Sequence, residues 1–284
     1  MPKIARITPL TRKHVAKLLP PRPRDSHKGQ FGTVAVIGGA AGMIGAPLIA
    51  GRAALKLGAG CVHVGLLAPQ APGVDPLQPE LMLHPASAAL MPSANVVAIG
   101  CGLGQSLEAQ KLLHDALKLP AALVLDADAL NLLAVRPDLR TMLAARGANA
   151  VLTPHPGEAA RLLGCDAAQV QADRPAAAQA LAEKCGCAIV LKGTDSLCVT
   201  TDGKLYRNSS GNPGMSSPGM GDALTGMIAA FLAQSLAVNE AMLLGVHLHG
   251  AAGDALAEQL ASVGMTAGEV TEWARWLLNR WLEE

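Results

Sequence analysis

The sequence predicts an α/β fold with a mostly parallel central sheet and helices on both of its faces. Three observations point there. Short aliphatic runs at 33–37, 61–67, 96–99, 123–126, 150–152 and 189–191 have the length of strands buried on both sides. Helical patterns separate them, and parallel strands need crossovers of that kind. Half of the 284 residues are hydrophobic while aromatics are only 2%, so a large core must be built mainly from Ala, Leu and Val. No linker or internal repeat divides the chain, which reads as a single domain.

Taken in order, residues 8–30 are polar and proline-rich and read as an N-terminal arm. The first strand, 33–37, runs into the glycine turn GGAAGMIG at 38–45 and a helix at 46–57, which Gly58 and Gly60 close. After the strand at 61–67, the proline-rich stretch 69–92 reads as loop. Helices are expected at 106–117, at 131–144 with an interruption at Pro137, at 158–163 and at 175–184. The segment 197–207 reads as a hairpin, with Asp202-Gly203 as a type I′ turn signal. The last third is helical, and its final helix opens on the capping box TAGE at 266–269. That helix carries all three tryptophans, Trp273, Trp276 and Trp281. At ~100° per residue they share a face with Leu277, expected to pack on the chain's own core or on another subunit.

Charge and cysteine usage narrow the function classes. Twenty-three basic and 22 acidic residues give a formal charge of +1, without a basic stripe, so nucleic acid is not an expected partner. No segment approaches ~18 uninterrupted apolar residues, and the start MPKIARITPL has no apolar run after its basic residues. A soluble, cytoplasmic protein without membrane contact is expected. The six cysteines, at 61, 101, 165, 185, 187 and 198, form no CxxC pair, and buried free thiols are expected.

The chain is organised around residues 211–234, GNPGMSSPGMGDALTGMIAAFLAQ. Small residues lead straight into a segment apolar nearly all round, as a helix buried on every side should be. The N–H groups at such a helix start, together with its dipole, hold anions. Asp222 sits there, either as a cap or as the carboxylate that takes a proton from an attacking hydroxyl; the glycine-rich approach favours the second. Other polar loops follow strands, where ligands bind in sheets of this kind. They are GCGLG at 100–104, DAD at 126–128, TPHPGE at 153–158 and KGTDS at 192–196, and four such loops suggest one shared site.

Single motifs leave alternatives open. Neither GxGxxG nor GxxxxGK[ST] occurs, so 38–45 is equally a dinucleotide turn or a place of close helix–strand packing. His155, between two prolines, is either a core histidine or a residue that faces a ligand. Glu158 is a first-turn helix acid or a group that holds Mg²⁺ through water. Lys192 either snorkels or meets phosphate. His247 and His249 have the wrong spacing for a shared helix face and read as structural.

Taken together, DSHKGQFG at 25–32, IGGAAGMIGAPLIAGRAALKLGAG at 37–60, GCGLG at 100–104, DADALN at 126–131, TPHPGEAARLLG at 153–164, LKGTDS at 191–196 and GNPGMSSPGMGDALTG at 211–226 carry a resemblance. The chain resembles, over nearly its whole length, the NAD(P)H-hydrate dehydratases of the ribokinase-like superfamily. The resemblance implies a ribokinase-like fold, repair of hydrated NADH and NADPH driven by ADP or ATP with Mg²⁺, and a homo-oligomer, commonly a tetramer. Carried over by position, it implies that Ala46, Gly102, Gly104, His155 and Asp222 contact the hydrated nicotinamide nucleotide. Lys192, Gly193, Thr194, Asp195, Ser196 and Gly221 would hold the adenine nucleotide, with Asp222 as catalytic base and Glu158 placing Mg²⁺ through water. Two departures stand out: Met220 replaces a usual threonine, and Ser217-Pro218 replaces small residues, which costs the anion cradle a hydroxyl and an N–H. The epimerase domain fused in some relatives has no counterpart here, so epimer interconversion is not expected of this chain. The alternatives are an alcohol kinase of the same fold, acting on a hydroxymethylpyrimidine or thiazole, and a non-catalytic nucleotide-binding protein.

Overall fold

The computed structural model describes residues 6–19 and 21–283; the first five residues of the chain start read above lie outside them. Among the described residues the strands are Ile7–Leu10 (β1), Thr33–Gly38 (β2), Cys61–Leu66 (β3), Met82–Pro85 (β4), Val96–Ile99 (β5), Ala122–Leu125 (β6), Ala150–Leu152 (β7), Ala188–Leu191 (β8), Ser196–Val199 (β9) and Leu205–Asn208 (β10). They form one sheet in the order β1-β10-β9-β8-β7-β6-β5-β2-β3-β4. Only β9 runs antiparallel to its neighbours, β8 and β10; every other pairing is parallel.

Side-chain alternation in these strands builds two cores, one on each face of the sheet. Val34, Val36, Val96, Ala98 and Val124 pack with the helices Gly45–Lys56, Met220–Ala233, Val238–Gln259 and Ala267–Glu283. Ala35, Ile37, Val97, Ile99 and Leu125 pack with Leu107–Lys118, Asp128–Val135, Pro156–Leu163 and Arg174–Cys185. The Met220–Ala233 helix is buried from Ala223 through Ala233, as its all-round apolarity requires. Gly226 lets it approach the Gly45–Lys56 helix, because a Cβ there would overlap the Ala50 carbonyl.

Several expectations change. Residues 8–10, read as the start of the arm, belong instead to β1, which pairs in register with β10, and the proline-rich 69–92 stretch contains β4. Both are edge strands, where proline is tolerated: Pro9 and Pro85 lie in them. The hairpin exists, but its turn is not type I′, which needs positive φ at both central residues. Gly203 has φ +79° while Asp202 is not among the positive-φ residues, and Thr200 N–H reaches Lys204 O at 2.9 Å around a three-residue loop. In the last helix the buried face is Val270, Ala274, Leu278 and Trp281, packed on the chain's own core. Trp273 is only partly buried and Trp276 is exposed, so the three indoles do not share one face. All six cysteines are free, and no helix of the described residues is long and apolar enough to cross a membrane.

Candidate active site

The strand order reverses between β2 and β5: the chain goes outward to β3 and β4 on one side and to β6, β7 and β8 on the other. Loops that follow β2, β5, β6, β7 and β8 therefore meet at one edge, the usual ligand crevice of such sheets. Gly38 ends β2, Gly39 follows it, and both lie against the loop after β5. Gly39 N–H bonds Cys101 O at 3.2 Å and Ala40 N–H bonds Gly102 O at 2.7 Å. A Cβ on Gly38 would overlap the Cys101 carbonyl, whereas Gly42 and Gly45 have open space around them. Close packing thus accounts for the first two glycines of that turn, and the rest of it is free to border a ligand.

Ala46 stands in the first turn of the helix behind this loop. A Cβ on Gly102 would come within 3.3 Å of the Ala46 Cβ and 2.8 Å of the Met43 Cβ, so Ala46 and Gly102 adjoin. Gly104 N–H is held by Asp128 Oδ2 at 2.8 Å. Between Asp126 and Asp128, Ala127 takes φ +49° and ψ −116°, a strained backbone that aims the two carboxylates in different directions.

Asp126 is the charged floor of the site. It is 2% exposed, pairs with Lys192 Nζ at 2.6 Å through Oδ1 and accepts from Thr225 Oγ1 at 3.1 Å through Oδ2. Lys192 therefore turns inward rather than snorkelling. Burial opposes its charge, but Asp126 and Glu158 outweigh that and hold its pKa above the ordinary lysine value. A Cβ on Gly221 would meet Lys192 Nζ at 3.2 Å and Asp126 Oδ2 at 3.3 Å, which places the ammonium at the start of the Met220–Ala233 helix. The helical ladder begins with Ala223 N–H to Gly219 O at 2.9 Å, leaving the N–H groups of Met220, Gly221 and Asp222 ahead of it. Cation and dipole thus converge on one anion position. Asp222, in the same turn, has its pKa raised by burial against an opposing hydrogen bond from the Cys101 thiol.

His155 and Glu158 form the wall after β7. His155 caps the Pro156–Leu163 helix, with Nδ1 accepting Gly157 N–H at 3.0 Å, while Glu158 Oε2 accepts His155 N–H at 2.8 Å. Glu158 is thus a capping-box acid, but it is also buried, and desolvation raises its pKa. The His155 side chain remains 49% exposed; burial and the nearby Lys192 charge lower its pKa. Among the described residues no three His, Cys, Asp or Glu side chains converge to hold a metal ion. Mg²⁺ keeps much of its water and binds mainly through phosphates, so the donors present suit only such an ion.

Beside this floor opens a cleft of about 410 Å³. Lys192, Gly193, Thr194, Asp195, Ser196 and Gly221 all line it, so the structure gathers every residue expected to hold the adenine nucleotide. Arg174 fixes the β8–β9 turn by donating to Leu191 O at 3.2 Å. Pro218 lies elsewhere, beside Ile49 and Thr266, and Ser217 Oγ donates to Met265 O at 2.8 Å. The N–H missing at Pro218 is therefore not missing from the cleft. Met220 does line it, while its side chain belongs to the core. Sequence reasoning passed over Asp126 as a partner for Lys192 and His249 as a lining residue. A DxD pair directly after a buried strand was the available signal for the first, and a His-Gly step within the small and apolar run 241–253 of its helix for the second.

The fold and this edge define a ribokinase-like α/β protein with a lysine ammonium and a carboxylate at the start of a buried helix. The chain belongs to the NAD(P)H-hydrate dehydratase family, whose model matches residues 34–274. It is 46% identical to an ADP-dependent (S)-NAD(P)H-hydrate dehydratase of Neisseria meningitidis, over 96% of this chain and 93% of that one. A bifunctional NAD(P)H-hydrate repair enzyme of Escherichia coli is 40% identical over 92% of this chain, which spans half of that protein's length. In structure it is similar to an ADP/ATP-dependent NAD(P)H-hydrate dehydratase from Bacillus subtilis, co-crystallized with ATP/Mg²⁺, at TM-score 0.82 and 28% identity, over 97% of this chain and 99% of that one.

Proposed function

We propose that this chain dehydrates the S epimer of hydrated NADH and NADPH, with ADP as the phosphoryl donor, and that Asp222 is its general base. The observation that carries the reading is the start of the Met220–Ala233 helix. Free N–H groups, the Lys192 ammonium, the buried Asp126 carboxylate and the partly buried Asp222 meet there at the first helical turn.

A ring hydroxyl is a poor leaving group, and a phosphate ester is a good one. Asp222 accepts the proton as the hydroxyl oxygen forms its bond to the terminal phosphorus of ADP, and the bond to the AMP oxygen breaks. The N–H groups of Met220, Gly221 and Asp222, with Lys192, stabilise the charge on the transferring group. The ring nitrogen then pushes out phosphate, a proton leaves the adjacent carbon, and the reduced nicotinamide returns. Mg²⁺, when bound with the nucleotide, would neutralise phosphate charge, with Glu158 reaching it only through water. Ala46, Gly102, Gly104 and His155 would border the hydrated nicotinamide nucleotide, and residues 192–196 with Gly221 the adenine nucleotide.

Incubation with hydrated NADH and ADP tests this by absorbance at the reduced-nicotinamide band. Recovery of the band with formation of AMP and phosphate is expected; a stable phosphoester would make the protein a kinase, and binding without turnover would make it a sensor. A single catalytic domain, a cytoplasmic setting and a homotetramer complete the reading, and sedimentation tests the last.

A further inference from the structure

His249 stands on the Val238–Gln259 helix, where Val246, His249 and Gly250 occupy i, i+3 and i+4 and all line the cleft beside Lys192 and Gly221. Its Nε2 is buried and has no hydrogen-bond partner. Leaving such a group unpaired costs about 1–3 kcal/mol, and a native orphan calls for an explanation. The helix cannot easily carry the ring away. Asp254 accepts Gly211 N–H at 2.8 Å, His247 Nδ1 pairs with Asn208 Oδ1 at 3.0 Å, and a Cβ at Gly250 would press on Ser210.

Charge separates two possible uses of this nitrogen. Burial and the Lys192 ammonium hold the imidazole neutral, with its pKa near 4, so it brings a hydrogen bond and no charge. Phosphates in this cleft already have Lys192 and the helix N–H groups. Leu224 and Val246, apolar residues that line the same cleft, suit a flat apolar ring with a few polar edges.

We propose that His249 is a nucleotide-binding residue whose Nε2 hydrogen-bonds the nucleoside part, base or ribose, of the adenine nucleotide. The inference rests on the reading of this cleft as the ADP site. Calorimetric titration of the wild type, His249→Leu and His249→Asn with ADP and with inorganic pyrophosphate tests it, with thermal midpoints as the fold control. His249→Leu should weaken ADP binding about 3–10-fold and leave pyrophosphate binding unchanged, and His249→Asn should recover part of the loss. In ¹⁵N-histidine-labelled wild type, ADP should shift the His249 Nε2 resonance and pyrophosphate should not. Equal ADP affinity in the leucine variant, or an unmoved resonance in ADP-saturated wild type, overturns the inference. Equal losses for ADP and pyrophosphate would place the contact on phosphate and overturn it too. If the leucine variant does not fold, the wild-type resonance decides. Wild type that binds no ADP overturns the cleft reading and this inference together, whereas binding by wild type with matching variants overturns this inference alone.

Discussion

Two glycine-rich stretches border the site, and they use their glycines differently. In the turn at 38–45, Gly38 is glycine because a backbone carbonyl lies where its side chain would be. In the run at 211–221, Gly214 and Gly219 likewise meet neighbouring chain, at Ser262 O and Ile49. Gly221 differs from all of these, since a Cβ there would press on the Lys192 ammonium and the Asp126 carboxylate. Composition does not separate a glycine that serves packing from one that serves chemistry. The identity of the atom facing the missing side chain does.

The comparison can be broken most forcefully at the carboxylate beside Gly221. Asp222→Asn should lower turnover by ~10²–10⁴-fold while calorimetry shows ADP binding nearly unchanged; activity within a few-fold of wild type would remove Asp222 as the base. The base works ionised and burial raises its pKa. The acid limb of kcat/KM should therefore fall at a pH above the ordinary aspartate range, and a limb at or below that range would count against the assignment.

Gly38→Ala is the packing counterpart. Its Cβ would overlap a backbone oxygen, so stability should drop by about 1–3 kcal/mol, read as a lower thermal midpoint. Gly221→Ala should do the reverse. Its neighbours, at 3.2 and 3.3 Å, are the ends of the Lys192 and Asp126 side chains rather than backbone, so the midpoint should fall less than for Gly38→Ala while ADP affinity falls on the order of tenfold. An unchanged affinity would show that Gly221 is only another packing glycine. Gly42→Ala should be the mildest, because nothing lies within 4 Å and only the φ of +82° adds strain, about 1 kcal/mol. Met220→Thr, expected from sequence to be neutral or helpful, now carries a packing cost, since Met220 is 7% exposed within the core cluster.

What the sequence made legible were the elements whose signal is local. Strands β2 and β5 to β8 are short, largely aliphatic runs buried on both faces, and the site loops follow directly from them. Strands β1 and β4 were hidden because each contains proline, is incompletely buried and lies at an edge of the sheet, so only their partners define them. The same holds within the site. Lys192 and Asp126 are 66 residues apart, and the sheet order, not their spacing, brings them together. His249 was set aside for its distance from His247, although its companions on the helix face are Val246 and Gly250. The tryptophans misled for a related reason: their number suggested a shared face, while the packed face follows Val270, Ala274 and Leu278.

The pairing of β1 with β10 has a consequence in time. Ile7 lies beside Leu205, so the first strand has no sheet partner until the ribosome has made almost 200 further residues. At ~5–20 residues per second the wait is roughly 10–40 s. Over that interval β2, β5, β6 and β7 can assemble as parallel neighbours while the N-terminal strand stays unpaired. The hairpin of β9 and β10 is then the piece that recruits it, and a strand made early is among the last to find its place.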